Sequence, residues 1–247
     1  MTWLRCLRPR PRATVRLFCF AHAGGSATAY REWPDLLPAS IEPYGVQPPG
    51  RADRFGEPVP ADMDELVGPV AEETLPLLDR PFALFGHSMG ALAAYETTRL
   101  LEARGAGPVR LFVSGCAAPH EPRRERELSS YDDERLVAEL AGYGGTDAQI
   151  LAHEEMRRVV LPYVRGDLRL VERYRHRPGP PLRTPVSVIV GDADPLVTPA
   201  QAEAWRTRTL ADFSLTVMTG DHFYLQPRRA AVVAEVARRM GCGRPDR

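Results

Sequence analysis

The chain contains no lysine and no asparagine, so all 32 of its basic residues are arginine. Lysine and asparagine codons are rich in A, and their joint absence is typical of a gene with a high G+C content. The lack of lysine excludes any mechanism that depends on a catalytic lysine. The acidic residues also number 32, which leaves no net charge, and we therefore expect no general affinity for nucleic acid or for a membrane surface.

Cysteines and long apolar runs are also scarce. The four cysteines, Cys6, Cys19, Cys116 and Cys242, show neither the spacing of a metal site nor a paired disulfide framework, so we predict no bound metal. The sequence has no run of about 18 apolar residues that would predict a membrane span. Its start has no apolar stretch of signal-peptide length, so we expect a protein of the reducing cytoplasm.

At 247 residues, with 44% hydrophobic and 26% charged residues, the chain has the composition of a globular protein that can bury one full core. Apolar, strand-like runs alternate with helical patterns along it. The predicted strands lie near residues 15–20, 41–46, 82–86, 109–114, 185–190 and 214–218, and the predicted helices lie at 62–79, 89–104, 199–210 and 228–240. This alternation predicts an α/β fold, in which a mainly parallel, doubly wound sheet forms one domain over residues 1–247.

The most informative motif is Gly-His-Ser-Met-Gly at residues 86–90. It follows the apolar run 82–85 and precedes a helical pattern at 91–96, which is the strand–turn–helix setting of a nucleophile elbow. The two glycines permit a sharp turn in which the flanking backbones pack closely. The motif predicts Ser88 as a nucleophile; the alternative is a serine that only caps the following helix.

An acid and a base follow in the chain order Ser, Asp, His that α/β-hydrolases use. Residues 191–195 read Gly-Asp-Ala-Asp-Pro and residues 220–223 read Gly-Asp-His-Phe, and each group comes after a β-branched apolar run. Because open α/β sheets bind ligands at the carboxyl ends of their strands, we expect both loops to lie near Ser88. We assign His222 as the general base and a carboxylate as the group that orients its imidazole.

The identity of that carboxylate stays open at this point. Asp194 is preferred because Pro195 stiffens its loop, whereas Asp192 also suits a bond to backbone amides of the turn. Asp221 is adjacent to His222 and is expected to point elsewhere. Four other histidines are weaker candidates for the base: His87 inside the elbow, and His120, His153 and His176 in polar or helical stretches.

Acyl transfer also needs an oxyanion hole, and two backbone N–H groups are candidates. One belongs to Met89, directly after the nucleophile, and the second is expected in the loop after the first long strand. That loop, residues 21–26, is made of small residues that allow a substrate to approach the backbone, and we select Ala23. The alternative is a flexible glycine turn before a helix.

The alternation of strands and helices breaks between Ser114 and Pro178, where charged helix formers dominate. An insertion at this place in an α/β-hydrolase covers the active site, so residues 118–177 are predicted to form a helical lid. The alternative is a solvated helical pair that only buttresses the sheet. Three glycines would let the lid flex: Gly142, Gly144 and Gly145.

Six blocks between residues 15 and 225 make the chain similar to a known family. These blocks are residues 20–27, 46–51 with Arg54 and Phe55, 85–91, 168–172 with Tyr174, 191–195 and 220–225. They resemble the stand-alone type II thioesterases of polyketide and nonribosomal peptide synthesis, α/β-hydrolases related to the medium-chain fatty-acyl thioesterases. The resemblance implies a Ser88–His222–Asp194 triad and an oxyanion hole at Ala23 and Met89. Pro48, where the family usually has leucine, and the unmatched Arg/Pro-rich start depart from the pattern.

The resemblance further implies an enzyme that hydrolyses acyl or aminoacyl thioesters on the phosphopantetheine arm of acyl or peptidyl carrier proteins, and so removes stalled units. No cofactor is expected, because the substrate itself carries phosphopantetheine, and we expect a monomer. Arg123 and Arg124 are interpreted as a solvated face, and the resemblance allows them a weak role in carrier docking. The alternatives are a carboxylesterase or lipase, an acyltransferase or cyclase, and a carrier-binding protein without catalysis.

Overall fold

The computed structural model describes residues 3–121, 127–143 and 153–242. Arg123, Arg124, Gly144 and Gly145 lie outside the described residues. The described part forms one seven-stranded sheet with the strand order β1-β3-β2-β4-β5-β6-β7. The strands are β1 Leu4–Cys6, β2 Val15–Phe20, β3 Ile41–Val46, β4 Phe82–His87, β5 Arg110–Ser114, β6 Val186–Gly191 and β7 Phe213–Met218. The fold class predicted from the sequence is confirmed.

All neighbouring strands pair in parallel except β1, which pairs antiparallel with β3 at the edge of the sheet. Both ends of each of the six longer strands agree with the predicted strand runs to within one residue. The short edge strand was not predicted, because three residues in an Arg/Pro-rich stretch carry no readable period.

The four predicted helices are present, and three more are found: one lies before the elbow, and two lie in the segment after β5, which was predicted to be helical. They are α1 Trp33–Leu36, α2 Met63–Thr74, α3 Met89–Ala103, α4 Asp133–Gly142, α5 Glu154–Arg173, α6 Pro199–Glu203 and α7 Arg229–Arg239. The predicted helices at 62–79 and 199–210 each end in a 3₁₀ turn, over Leu75–Leu77 and Ala204–Arg208.

Each central strand sends alternate side chains into two separate cores, one on either face of the sheet. In β4, Phe82 and Leu84 belong to the core that also contains residues of α2 and α3, whereas Ala83 and Phe85 belong to the core under α7. Burial on both faces explains the near-continuous apolar runs of these strands. It also fixes the strand ends, and therefore the loops that carry the site, on a rigid frame.

The segment predicted as a lid contains α4 and α5, and its described residues include no strand. These two helices share a third, smaller apolar cluster, formed by Leu136, Leu140, Val160, Leu161 and Val164. Farther along α5, Leu170 belongs to the main core. The segment is therefore packed both on itself and on the body of the fold.

Candidate active site

Ser88 lies at a sharp turn between β4 and α3. Its backbone has φ 56° and ψ −118°, and it is one of two non-glycine residues with positive φ among the described residues. This conformation is strained for a residue with a Cβ atom, and such strain is typical of functional positions. Ser88 occupies the N-cap position of α3, but its side chain makes no capping hydrogen bond. The capping alternative therefore does not account for this serine.

The two glycines of the motif are required by close backbone approaches. A Cβ atom at Gly86 would lie 2.1 Å from the carbonyl oxygen of Gly90. A Cβ atom at Gly90 would lie 2.2 Å from the carbonyl oxygen of Phe20 and 2.5 Å from that of Ala21. The first turn of α3 is thus packed directly against the end of β2, which brings the elbow next to the loop at 21–26.

His222 and Asp194 form a buried pair. The imidazole Nδ1 lies 2.8 Å from Asp194 Oδ2, and the two side chains are 3% and 0% exposed. The other carboxylate oxygen, Oδ1, accepts hydrogen bonds from the backbone N–H groups of Leu196 and Val197, at 2.8 and 3.2 Å. These bonds fix the carboxylate, which in turn places the imidazole proton on Nδ1 and leaves Nε2 as the basic nitrogen.

The competing aspartates make different contacts. Asp192 is exposed and accepts a hydrogen bond from the Gly220 N–H at 2.9 Å. Asp221 is also exposed and accepts from the Phe223 N–H at 2.9 Å. Within the described part of the chain, Asp194 is the carboxylate that contacts His222. The catalytic roles of Ser88, Asp194 and His222 stay predictions.

Two further histidines, His87 and His22, lie close to His222. The ring of His87, next to Ser88, lies 5.0 Å from the ring of His222, and His22 lies 6.2 Å from His87. Phe223 packs against both His22 and His87, at 4.9 and 5.4 Å between ring centroids. The tilted contact between the rings of His87 and His222 places the elbow directly beside the predicted base.

Both of these histidines are neutral near pH 7. Burial is the main cause of a lowered pKa in both rings, and the positive charge that His222 can carry is the second. Together they lower the pKa of His22 to about 4 and the pKa of His87 well below its usual value. His87 Nδ1 lies 2.9 Å from Ser114 Oγ, which lies 2.6 Å from the Tyr224 hydroxyl. An imidazolium formed at His222 would therefore have no cationic ring beside it. Sequence reasoning set His87 aside and overlooked His22, because contacts between the rings of residues distant in the chain leave no local pattern.

The loop predicted to supply an oxyanion donor forms a tight turn. The Gly25 N–H donates to the His22 carbonyl at 2.9 Å, and Gly24 has φ +82°, as the third residue of a type II turn requires. No hydrogen bond from the N–H of Ala23 or of Met89 is found among residues 3–121, 127–143 and 153–242. Both groups are thus available to an external acceptor, and their role in an oxyanion hole stays a prediction.

The other candidate histidines lie elsewhere. His120 and His176 are neighbours, with 6.4 Å between their ring centroids, and His176 Nε2 lies 3.2 Å from an Arg208 nitrogen. His153 occupies the N-cap position of α5 and makes no capping hydrogen bond with its side chain. None of these three has a contact with His222 or Asp194 in the described structure.

A large surface groove of about 1140 Å³ does not belong to this site. It is lined by the second half of α3, residues 177–184 and Leu210. These residues lie at the amino ends of the strands, whereas Ser88, Asp194 and His222 follow the carboxyl ends.

The described residues contain no group of three or more His, Cys, Asp or Glu side chains able to hold a metal ion. None of the described helices is long and apolar enough to cross a membrane.

Comparison with known proteins identifies the family. A thioesterase domain model matches residues 15–240. The chain is 42% identical over 245 residues to the probable cadicidin biosynthesis thioesterase of Streptomyces griseus, covering 99% of this chain and 67% of that protein. It superposes on the type II thioesterase BorB from the borrelidin biosynthetic cluster with a TM-score of 0.86 and 39% identity, covering 96% of this chain and 95% of the other.

A further solved structure points the same way. YbtT, a type II thioesterase from the yersiniabactin NRPS/PKS biosynthetic pathway, superposes with a TM-score of 0.87 at 33% identity, covering 96% of this chain and 98% of the other. The chain therefore belongs to the thioesterase family, and it groups with the type II thioesterases of polyketide and nonribosomal peptide biosynthesis.

Proposed function

We propose that this thioesterase hydrolyses acyl or aminoacyl groups from the phosphopantetheine arm of carrier proteins and thereby clears stalled or aberrant units from a synthase. The observation that carries the proposal is the buried Asp194–His222 pair beside the strained Ser88. Its relatives include a probable cadicidin biosynthesis thioesterase and a type II thioesterase of the yersiniabactin NRPS/PKS pathway. In this proposal the partners are acyl or peptidyl carrier domains, and the enzyme acts as a monomer in the cytoplasm.

The mechanism assigns one role to each group. Ser88 Oγ attacks the thioester carbonyl carbon while His222 Nε2 takes the hydroxyl proton, and Asp194 stabilises the imidazolium. The Ala23 and Met89 N–H groups donate to the oxyanion of the tetrahedral intermediate. The C–S bond then breaks, and the thiolate leaves with the proton from His222. Water, deprotonated by His222, attacks the acyl-enzyme, and the acid leaves as Ser88 regains its proton. No step needs a cofactor.

The segment over residues 118–177 acts as a lid over the acyl group in this proposal. The pantetheine arm enters beside it, and binding of the arm and of the carrier surface positions the thioester at Ser88. Acyl groups on a carrier protein should therefore be cleaved with a higher kcat/KM than the same groups on N-acetylcysteamine.

The test measures kcat/KM for acetyl and propionyl groups on a carrier protein, on N-acetylcysteamine and as oxygen esters, with Ser88→Ala as the inactive control. We expect the order carrier thioester, free thioester, oxygen ester. A fluorophosphonate should label wild type at Ser88 and leave Ser88→Ala unlabelled. Equal rates on carrier-bound and free thioesters, with a preference for long oxygen esters, would indicate a general esterase. Transfer of the acyl group to an added amine or alcohol in place of water would indicate an acyltransferase.

A further inference from the structure

The mechanism proposed for the triad leaves one buried ion pair near the site without a role. Arg51 follows β3, Asp167 lies in α5, and the two residues are 116 positions apart in the chain. Their side chains are 3% and 1% exposed. Arg51 donates two hydrogen bonds to the Asp167 carboxylate, one of them to Oδ1 at 2.6 Å.

Both members of this pair also bind the loop that carries Ala23. Asp167 Oδ2 accepts a hydrogen bond from the Gly24 N–H at 2.7 Å. Arg51 donates to the Gly25 carbonyl at 2.9 Å. One helix turn before Asp167, Val164 packs so closely on the loop that a Cβ atom at Gly24 would lie 2.8 Å from it. Helix α5 thus packs directly against this turn.

These contacts fix the direction of the Ala23 N–H. The turn runs from His22 to Gly25, and the Gly25 N–H holds the His22 carbonyl inside it. The Ala23 N–H belongs to the same peptide unit as that carbonyl and therefore points outward. The next peptide unit is Ala23–Gly24. Asp167 holds the N–H of this unit, and Arg51 holds the carbonyl at the end of the turn. Because the Gly24 N–H and the Gly25 carbonyl are both held, the turn cannot rotate relative to β2 and α5. The Ala23 N–H, which lies on the outer side of the turn, therefore keeps one orientation.

Stability alone gives no reason for this pair. Removing two charges from water is costly, and apolar residues of similar volume often stabilise a fold as well as a buried ion pair does. The Nε of Arg51 is buried and has no hydrogen-bond partner within the described residues, which adds to that cost. What apolar side chains cannot supply is an acceptor for Gly24 and a donor for Gly25.

We propose that Arg51 and Asp167 are positioning residues. They hold the turn from His22 to Gly25, which carries the Ala23 N–H, and join it to helix α5. The proposal rests on the proposed Ser88 mechanism, in which the Ala23 N–H stabilises the oxyanion. Loss of the pair would misplace this donor without touching Ser88, His222 or the acyl group. The expected effect is a fall in kcat of about 10²-fold, the size that follows from misplacing a catalytic group by about 1 Å, with KM nearly unchanged.

The experiment compares three variants. Asp167→Asn keeps the shape of the side chain and removes its charge, and Arg51→Met/Asp167→Leu removes both charges together. The control, Arg16→Met/Glu42→Leu, removes another buried pair, with side chains 8% and 7% exposed, at the amino ends of β2 and β3. Each protein is assayed well below its own thermal midpoint with an acyl-N-acetylcysteamine thioester, and the rate of Ser88 labelling by a fluorophosphonate is measured, since the phosphoryl oxygen also occupies the oxyanion hole.

We expect both site variants to lose kcat and labelling rate by similar factors, and the control to keep both. Wild-type kcat in the folded double variant would overturn the proposal, because the defect of Asp167→Asn would then be that of an unpaired buried arginine. A rise in KM at unchanged kcat would also overturn it. A wild-type protein that labels with the fluorophosphonate but hydrolyses no thioester would refute the proposed function, and the labelling ratio would still test the pair.

Discussion

Two aspartates of one loop differ in environment although they are two positions apart. Asp194 is buried against His222, whereas Asp192 is exposed and binds the Gly220 N–H. We predict that Asp194→Asn lowers kcat by about 10⁴-fold, since the amide stabilises the wrong tautomer of the imidazole. Asp192→Asn should cost far less. The measurement is kcat for each variant on the same carrier thioester, and the reverse ranking would show that Asp192 orients the base.

His22 predicts a pH dependence of stability. Its pKa is about 4 in the folded protein and about 6.5 in the unfolded chain, because burial disfavours the charged ring. Between these values the unfolded chain binds a proton that the folded protein does not, so the free energy of unfolding falls as the pH drops from about 6.5 towards 4. One such group contributes a slope of at most about 1.4 kcal/mol per pH unit.

The variant His22→Phe isolates this contribution, because it keeps an aromatic ring against Phe223. Urea unfolding at pH 7, 6 and 5 should show a shallower loss of stability for the variant than for wild type. Ordinary carboxylates have pKa values of about 3.9–4.3 and are therefore mostly ionised at all three pH values. His87 shifts in the same direction, so the variant should keep part of the slope. Equal slopes in both proteins would contradict the prediction.

At the level of residues, motif order was readable from the sequence and spatial neighbours were not. Ser88 and His222 stand in motifs with a fixed chemical logic, and Pro195 favoured the aspartate that the structure places on His222. The contacts of Asp167 with Arg51 and Gly24 join segments more than 100 positions apart. No local spacing reports such a pair, even though Arg51 stands inside a motif that the sequence analysis had singled out.

At the level of elements, burial on both faces made the strands readable. Alternate residues of β2 and β4 enter two cores, so each strand appears as an unbroken apolar run bounded by turns. β1 lacks this signal, because three residues at an edge bury one side chain. Helix ends were overestimated at α2 and α6, where the chain tightens into 3₁₀ turns that share the helical pattern.

A substitution at Gly90 tests the close contact between α3 and β2. Gly90→Ala would place a Cβ atom 2.2 Å from the Phe20 carbonyl oxygen, so α3 must move away from β2. We expect a loss of about 1–3 kcal/mol in the free energy of unfolding, together with most of the activity, since Ser88 and Met89 move with the helix. Chemical denaturation and kcat of the same preparations measure the two effects.

Gly142 supplies the matched control. It is the last residue of α4 and is exposed, and an added Cβ would meet no atom within 4 Å among the described residues. Gly142→Ala should raise the free energy of unfolding by up to about 1 kcal/mol, the difference in helix propensity. A Gly90→Ala protein as stable and active as Gly142→Ala would contradict the prediction. It would show that α3 can move away from β2 to accept a methyl group without loss of stability or activity.

At the level of the whole molecule, the helical segment after β5 is held more weakly than the sheet. The cores on the two faces of the sheet comprise most of the buried apolar residues, whereas α4 rests on a cluster of five. Partly buried apolar side chains such as Val137 and Tyr143 add to this cluster, and polar contacts supply further attachments. Arg165 donates to the carbonyls of Ser129 and Tyr131 and to Asp133, and Glu172 accepts from Ser129. Few buried apolar contacts mean a low free energy of local opening.

We therefore predict that the amides of α4 exchange with solvent deuterium faster than those of β4 and β5, with α5 between them, because α5 also reaches the main core at Leu170. Arg165→Met should accelerate exchange further over residues 128–142, since it removes three hydrogen bonds that hold this segment to α5. Exchange in the strands should be unchanged. Mass spectrometry of the exchanged peptides measures all three regions in one experiment. Exchange in α4 as slow as in the strands would mean that the segment opens only with global unfolding, and it would then be unable to act as a lid that moves during turnover.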